Sequence, residues 1–205
     1  MRIGIIGSQS SGKSTLIKEF LEKWPMYKTP EKTYRDIIKS RDIKINEDGD
    51  EKSQKAILNA LIDEVQQAKG DYLIFDRCVV DNIAYTLWLN AHDKISDSFV
   101  VDSKFLALQT LKLFDIIFYV PIHKDIPISE REGRSSDPKF REEIDNIFRA
   151  LVMSYEKSTG AFFPTEDCPA VIALDGPPDL RCEQIRLYLK EDGHFFGEED
   201  GSLLS

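Results

Sequence analysis

Short runs of consecutive apolar residues alternate along the chain with longer segments in which apolar positions recur every three or four residues. Arg2–Ile6 (RIGII), Asp71–Asp76 (DYLIFD), Asp115–Pro121 (DIIFYVP) and Ala170–Leu174 (AVIAL) are short and nearly uniformly apolar. They read as strands buried on both faces. Lys13–Lys23 has Leu16, Phe20 and Leu21 at helical spacing and is stopped by Pro25. Ser53–Lys69 carries the stripe Ile57, Ala60, Leu61 and Val65, with Gly70 as its stop. Val79–Asp93 and Phe99–Phe114 are also predicted helices, the second with Val101, Phe105 and Leu108 on one side. Lys139–Ser158 is the longest, with Phe140, Ile144, Ile147, Leu151 and Tyr155 in register, and Asp179–Lys190 is the last.

The remaining segments break both periods. Tyr27–Arg35 is mixed and is expected to hold a further strand followed by a substrate loop. Asn46–Glu51 (NEDGDE) reads as an exposed turn around Gly49. His123–Pro138 is polar, contains Pro127, Gly133 and Pro138, and reads as a functional loop. Apolar strands alternating with helices predict an α/β fold with a parallel sheet of about five strands, helices on both faces and right-handed crossovers.

Charge refines this picture. The 205 residues suit one domain; Lys and Arg number 27 against 36 Asp and Glu, a net charge of −9. Five of those acids (Glu191, Asp192, Glu198, Glu199, Asp200) fall in Glu191–Ser205, which has no Lys or Arg. The expected division is a domain over 1–190 and an acidic, mobile tail over 191–205. A net anion is a poor generic binder of nucleic acid or anionic membrane, although a local basic cleft remains open. Cys78, Cys168 and Cys182 form no CxxC pair, and His92, His123 and His194 have no metal-ligand spacing, which points to reduced thiols and no zinc site. The opening apolar run is shorter than that of a signal peptide, and no run reaches the length of a membrane span, so a cytoplasmic protein is expected.

The most informative segment is Gly7-Ser8-Gln9-Ser10-Ser11-Gly12-Lys13-Ser14, which fits GxxxxGK[ST], the P-loop, and lies between a predicted strand and a predicted helix. Glycines allow backbone N–H groups to point inward around phosphate oxygens, and the helix adds its positive dipole end. Lys13 is expected to reach the β- and γ-phosphates, Ser14 to hold Mg²⁺, and Gly7 through Thr15 to line the triphosphate. Asp76 closes the strand DYLIFD, where a carboxylate can hold Mg²⁺ or act as base, and Arg77 follows it. Arg131, Arg134 and Arg141 form a further basic set, with Arg134 the strongest candidate to steady the moving phosphoryl group and Arg131 a candidate triphosphate contact. On the acceptor side the candidates are Tyr34, Arg35 and Asp36 after the expected second strand, and Asp81 and Tyr85, one helical turn apart.

The order of P-loop, strand ending Asp-Arg (FDRCVVDNIAY) and arginine-rich loop (ISEREGRSSDP) resembles the P-loop nucleoside and nucleotide kinases. The Asp-Arg pair is similar to the DR or ER signature of deoxynucleoside and thymidylate kinases. Thr33-Tyr34-Arg35 and GRSSDPKFREEID resemble the AAA-type nicotinamide riboside kinase domain. The resemblance implies strand order 2-3-1-4-5, an arginine-bearing lid, and an ATP- and Mg²⁺-dependent kinase of a small nucleoside, nucleotide or riboside, with a homodimer allowed. Catalysis would fall to Lys13, Asp76, Arg77 and Arg134. Two alternatives stay open: a kinase of hydroxymethyluracil within phage DNA, nucleic acid then entering only as substrate, and a regulatory ATP- or GTP-binding switch.

Overall fold

The computed structural model describes residues 1–31, 33–39, 43–128, 135–164 and 166–196. Its four parallel strands are β1 (Arg2–Ile6), β2 (Leu73–Asp76), β3 (Ile116–Tyr119) and β4 (Ala170–Ala173), ordered β2-β1-β3-β4. The helices are α1 (Lys13–Lys23), α2 (Tyr34–Lys39), α3 (Glu51–Gln67), α4 (Val79–Ala91), α5 (Asp97–Leu111), α6 (Pro138–Glu156) and α7 (Arg181–Ile185). Side chains alternate across the sheet, so each strand feeds two cores. Ile3, Ile5, Ile74, Ile116 and Phe118 pack with Leu16, Phe20 and Trp24 of the α1 side and Ile185 of α7. Ile6, Phe75, Ile117, Tyr119 and Val171 pack with residues of α3, α4, α5 and α6 on the other face.

Register positions the chemistry. Ile5 of β1 pairs with Asp76 of β2, and Ile6 pairs with Tyr119 of β3. Three strand ends therefore come level at one edge, where the segment after β1 turns into α1. This carboxyl end of a parallel sheet is the usual place for ligands in such folds.

The sheet has four strands where about five were expected. Tyr27–Thr33 contributes a single bridge, Lys28 with Leu73, outside β2. Lys28 donates to the Tyr72 carbonyl at 3.1 Å and accepts from Ile74 N–H at 3.0 Å. Pro30, two residues on, has no N–H with which to extend the ladder. The expected order survives with its outermost position reduced to one residue. The segment after it, expected as a loop, forms the short helix α2.

Two helices also depart from expectation. Val101 and Phe105 do share a face of α5, but that face points outward: they are 66% and 62% exposed. The buried face is Ser103, Ala107, Thr110 and Leu111. Small side chains let α5 lie close on its neighbours, and Thr110 satisfies its hydroxyl on the Leu106 carbonyl at 3.0 Å. The expected helix over Asp179–Lys190 shrinks to a 3₁₀ turn (Pro178–Leu180) and α7, followed by turns. The chain then folds back through a bridge between Leu189 and Phe195. Trp24 Nε1–H donates to the Lys190 carbonyl at 2.9 Å and Tyr27 O–H to that of Gly193 at 2.7 Å. Residues 191–196, expected to belong to the acidic, mobile tail, form a cover over Tyr27 and Tyr72; 197–205 lie outside the described residues. Among the described residues no helix is long and apolar enough to cross a membrane.

Phe20, fully buried, has its ring 4.7 Å from Trp24 and 5.0 Å from Tyr27, joining α1 to this cover. Phe20→Ala is expected to lower unfolding free energy in urea by about 3–5 kcal/mol through lost burial and the cavity it leaves.

Candidate active site

The turn after β1 is held in one shape by close packing. Gly7 has φ 145°, and a Cβ there would lie 2.4 Å from the Val120 carbonyl oxygen. No L side chain fits that position. Gly12, at φ 96°, precedes α1 without a side-chain cap, and the first turn of α1 carries no acidic residue. The leading N–H groups of α1 therefore lack a competing side-chain acceptor within the helix.

The carbonyl oxygens of the same loop are occupied. Lys13 Nζ donates to the carbonyls of Gly7 at 2.7 Å and Ser8 at 2.6 Å, and to Ser11 Oγ at 3.3 Å. Arg141, in the first turn of α6, donates to the Ser10 carbonyl at 2.8 Å. Arg181 of α7 donates to the Ser11 carbonyl at 2.6 Å and the Pro121 carbonyl at 2.7 Å. All three cations are buried. With its acceptors engaged by cations, the loop has backbone donors left to offer, which is the polarity a phosphate requires. Burial, with the charge of Arg77 next in importance, lowers the Lys13 ammonium to about 7.

Gln9 ties the loop to a second segment. Its side-chain amide donates to the Ser135 carbonyl and accepts from Ser135 N–H, both at 2.9 Å. Ser135 Oγ donates in turn to Glu47 Oε1 and accepts from Asp137 N–H at 3.1 Å. Ser135 follows directly on the arginine-rich segment. Arg131 and Arg134, the expected lid residues, lie outside the described residues. Arg141, grouped with them in the sequence, braces the loop instead.

Asp76 and Arg77 stand beside the loop at the end of β2. Asp76 Oδ2 accepts from Arg35 Nη2 at 3.0 Å, while Asp76 Oδ1 is buried with no hydrogen-bond partner among the described residues. Arg77 has φ 91°, unusual for a residue with a side chain, and its N–H reaches the Ile5 carbonyl at 3.0 Å. Its guanidinium donates to Asp81 Oδ1 at 2.8 Å and lies 5.8 Å from the Tyr85 ring. Asp81, a candidate acceptor contact, is 2% exposed and turned inward. It accepts from Arg77 and from the N–H groups of Cys78 at 3.1 Å and Gly7 at 3.4 Å, capping α4 and linking it to the loop. Tyr85 is half-buried, 6.0 Å from Phe140. Ser14 and Thr15 are exposed on the first turn of α1.

Tyr34 and Arg35 open α2. Arg35 Nε donates to the Tyr34 hydroxyl at 3.2 Å while Nη2 holds Asp76. Asp36 accepts from Thr33 N–H at 3.0 Å and Thr33 O–H at 2.9 Å. α2 is fixed by Glu64 of α3, whose Oε2 accepts Tyr34 N–H at 2.6 Å. Glu64 is buried, and burial pushes its carboxyl up to about 7, with Asp76 adding in the same direction. Glu64 and Arg181 escaped the sequence reading. The available signal was a charged residue at a buried helical position, Glu64 beside Val65 and Arg181 four before Ile185. Among the described residues no group of His, Cys, Asp or Glu forms a protein-only metal cage.

Comparison with known proteins follows this geometry. A family model described as AAA domain matches residues 2–159, and the chain belongs to that family. No curated protein matches it in sequence. Among solved structures, deoxyadenosine kinase from M. mycoides with dCMP and dCDP bound is 17% identical, covering 91% of this chain and 97% of that one with TM-score 0.62. Thymidylate kinase from Candida albicans is 18% identical, covering 90% and 88%, with TM-score 0.58. NadR in complex with NR is 15% identical, covering 94% of this chain and 48% of that chain, with TM-score 0.60. This chain thus spans about half of NadR. The fold is that of the P-loop nucleoside and nucleotide kinases.

Glu64 generates a pH prediction. Its folded pKa lies above the unfolded value, so between about pH 4.5 and 7 the native state holds the extra proton and stability falls as pH rises. Glu64→Gln is expected to remove that component. Wild type should lose on the order of 2 kcal/mol relative to the variant between pH 4.5 and pH 7.5 in chemical unfolding. Parallel stability curves would remove Glu64 from this account.

Proposed function

We propose that the chain is a kinase that transfers the γ-phosphoryl group of ATP, with Mg²⁺, to a small nucleoside, nucleotide or riboside. The observation that carries this reading is the pairing of a donor-rich loop, its carbonyls held by Lys13, Arg141 and Arg181, with a carboxylate oxygen of Asp76 that is buried and unpartnered beside it. The fold shared with nucleoside and nucleotide kinases supports it.

In this reading the backbone N–H groups of residues 7–15 surround the phosphates, and Lys13 leaves the carbonyls of Gly7 and Ser8 for the β- and γ-phosphate oxygens. A polyanion also restores the full charge of Lys13, because it replaces an environment that disfavours the ammonium. The exposed Ser14 hydroxyl suits Mg²⁺ directly and Asp76 suits it through one of the waters the ion keeps. When bound, Mg²⁺ neutralises phosphate charge. Asp76 also suits the proton of an acceptor hydroxyl, with Arg35 holding its other oxygen and so its orientation. Arg77 is fixed by Asp81 at the strand end, where its charge faces the transferring group. Arg131 and Arg134 supply further cationic charge from the adjoining segment. Tyr34, Arg35 and Tyr85 flank the acceptor, and Asp81 acts from behind Arg77.

Lys13→Ala is expected to abolish turnover and weaken ATP binding in calorimetry. Asp76→Asn is expected to keep ATP binding within a few-fold while kcat falls about 10²–10⁴-fold in an ADP-release assay with a working acceptor. An unchanged kcat would remove Asp76 from the mechanism. If the purified chain binds ATP but phosphorylates no nucleoside, nucleotide or riboside, the reading is wrong.

A further inference from the structure

The acceptor side of the site has a charge pattern that selects among the three acceptor classes. Two cations stand there, and both are committed. Arg35 is 3.0 Å from Asp76, and Arg77 is 2.8 Å from Asp81. The Arg77–Asp81 pair is the more deeply buried, with side chains 15% and 3% exposed. One further acid, Asp36, lies close by, near enough to Glu64 to act on it electrostatically. Among the described residues the carboxylates Asp36, Asp76 and Asp81 thus outnumber the arginines Arg35 and Arg77 by one, before the triphosphate arrives.

A phosphate monoester brought to this side needs cationic donors. Arg77 can supply them only by releasing Asp81, which would strand a carboxylate in an almost fully buried position. Arg35 can supply them only by freeing Asp76, placing a second anion beside the incoming one. The open valence of the site has the opposite polarity. Asp76 Oδ1 is a buried acceptor without a donor, and a hydroxyl brings one, whereas an ionised phosphate brings none. The rings of Tyr34 and Tyr85 lie 5.7 Å and 5.8 Å from the two guanidiniums and offer flat apolar surface of the kind a base or sugar covers.

We propose that the acceptor is a nucleoside or riboside hydroxyl carrying no phosphate, and that the site rejects the corresponding 5′-monophosphate. This rests on the kinase reading above and narrows it. The acceptor hydroxyl gives its proton to Asp76 as its oxygen bonds to the γ-phosphorus. The bond from that phosphorus to the bridging oxygen breaks, ADP leaves with the electron pair, and the proton passes from Asp76 to solvent. The product is itself a monophosphate dianion, formed among carboxylates that repel it, so its release is favoured.

The test is a rate comparison on matched pairs. The full chain, with MgATP, is given ribonucleosides, deoxynucleosides and a pyridinium riboside, each alongside its own 5′-monophosphate. At least one unphosphorylated member is expected to react with kcat/KM ten-fold or more above its monophosphate. Asp36→Asn, which removes negative charge nearby, is expected to narrow that ratio several-fold by improving the monophosphate. Preference for a monophosphate would overturn this inference and leave the kinase reading standing. ATP binding with no reaction on either member would overturn both.

Discussion

Three buried cations gripping the carbonyl oxygens of one loop are the interaction on which the rest of the site depends. A backbone turn rich in small residues has little intrinsic reason to hold its N–H groups in one direction. Here Lys13, Arg141 and Arg181 hold the other half of each peptide, from α1, α6 and α7. The grip carries a cost. Among the described residues the Nε atoms of Arg141 and Arg181 are buried without partners, and neither arginine makes an ion pair with a carboxylate. Buried charge of this kind is unfavourable unless something answers it. The carbonyl dipoles answer part of it, and in the proposed reading a bound polyanion answers the remainder. The grips of Arg141 and Arg181, which the proposed reading leaves in place, keep the loop's dipoles arranged before a ligand arrives.

The end of β2 is organised by the opposite sign. Glu64 suspends α2 by the Tyr34 N–H, α2 presents Arg35, and Arg35 orients Asp76. Asp81 performs a parallel task behind Arg77 while capping α4 and touching the Gly7 N–H. Carboxylates thus hold Arg35 and Arg77, and lysine and arginine hold the loop after β1. The parallel register that sets Asp76 beside Ile5, two residues before Gly7, brings the two halves together.

The parts readable from sequence were those in which local chemistry leaves one solution. Gly7 and Gly12 occupy conformations that side chains resist, so the P-loop was visible in its spelling. β1 to β4 were visible because strands buried on both faces must be apolar throughout. The misreadings share a physical cause. Val101 and Phe105 revealed a face of α5, but periodicity does not say whether a face turns in or out; Ala107 and Thr110 decided it by permitting closer approach. Lys28 began a strand that Pro30 could not continue. Glu64 and Arg181 were invisible because their importance lies in what they touch, the Tyr34 N–H and the Ser11 carbonyl, separated from them by 30 and 170 residues. Asp81 was seen as chemically important, while its inward orientation depended on Arg77 and the cap of α4.

The central claim is that the loop stores a weakened lysine charge for a polyanion to restore. Proton uptake on MgATP binding reports this directly, through calorimetry at pH 8 in buffers of different ionisation enthalpy. With the Lys13 ammonium lowered by burial in the free protein, binding should draw in protons, and Lys13→Met should abolish that uptake. Binding of MgATP with no net proton uptake, or uptake undiminished in Lys13→Met, would contradict the account.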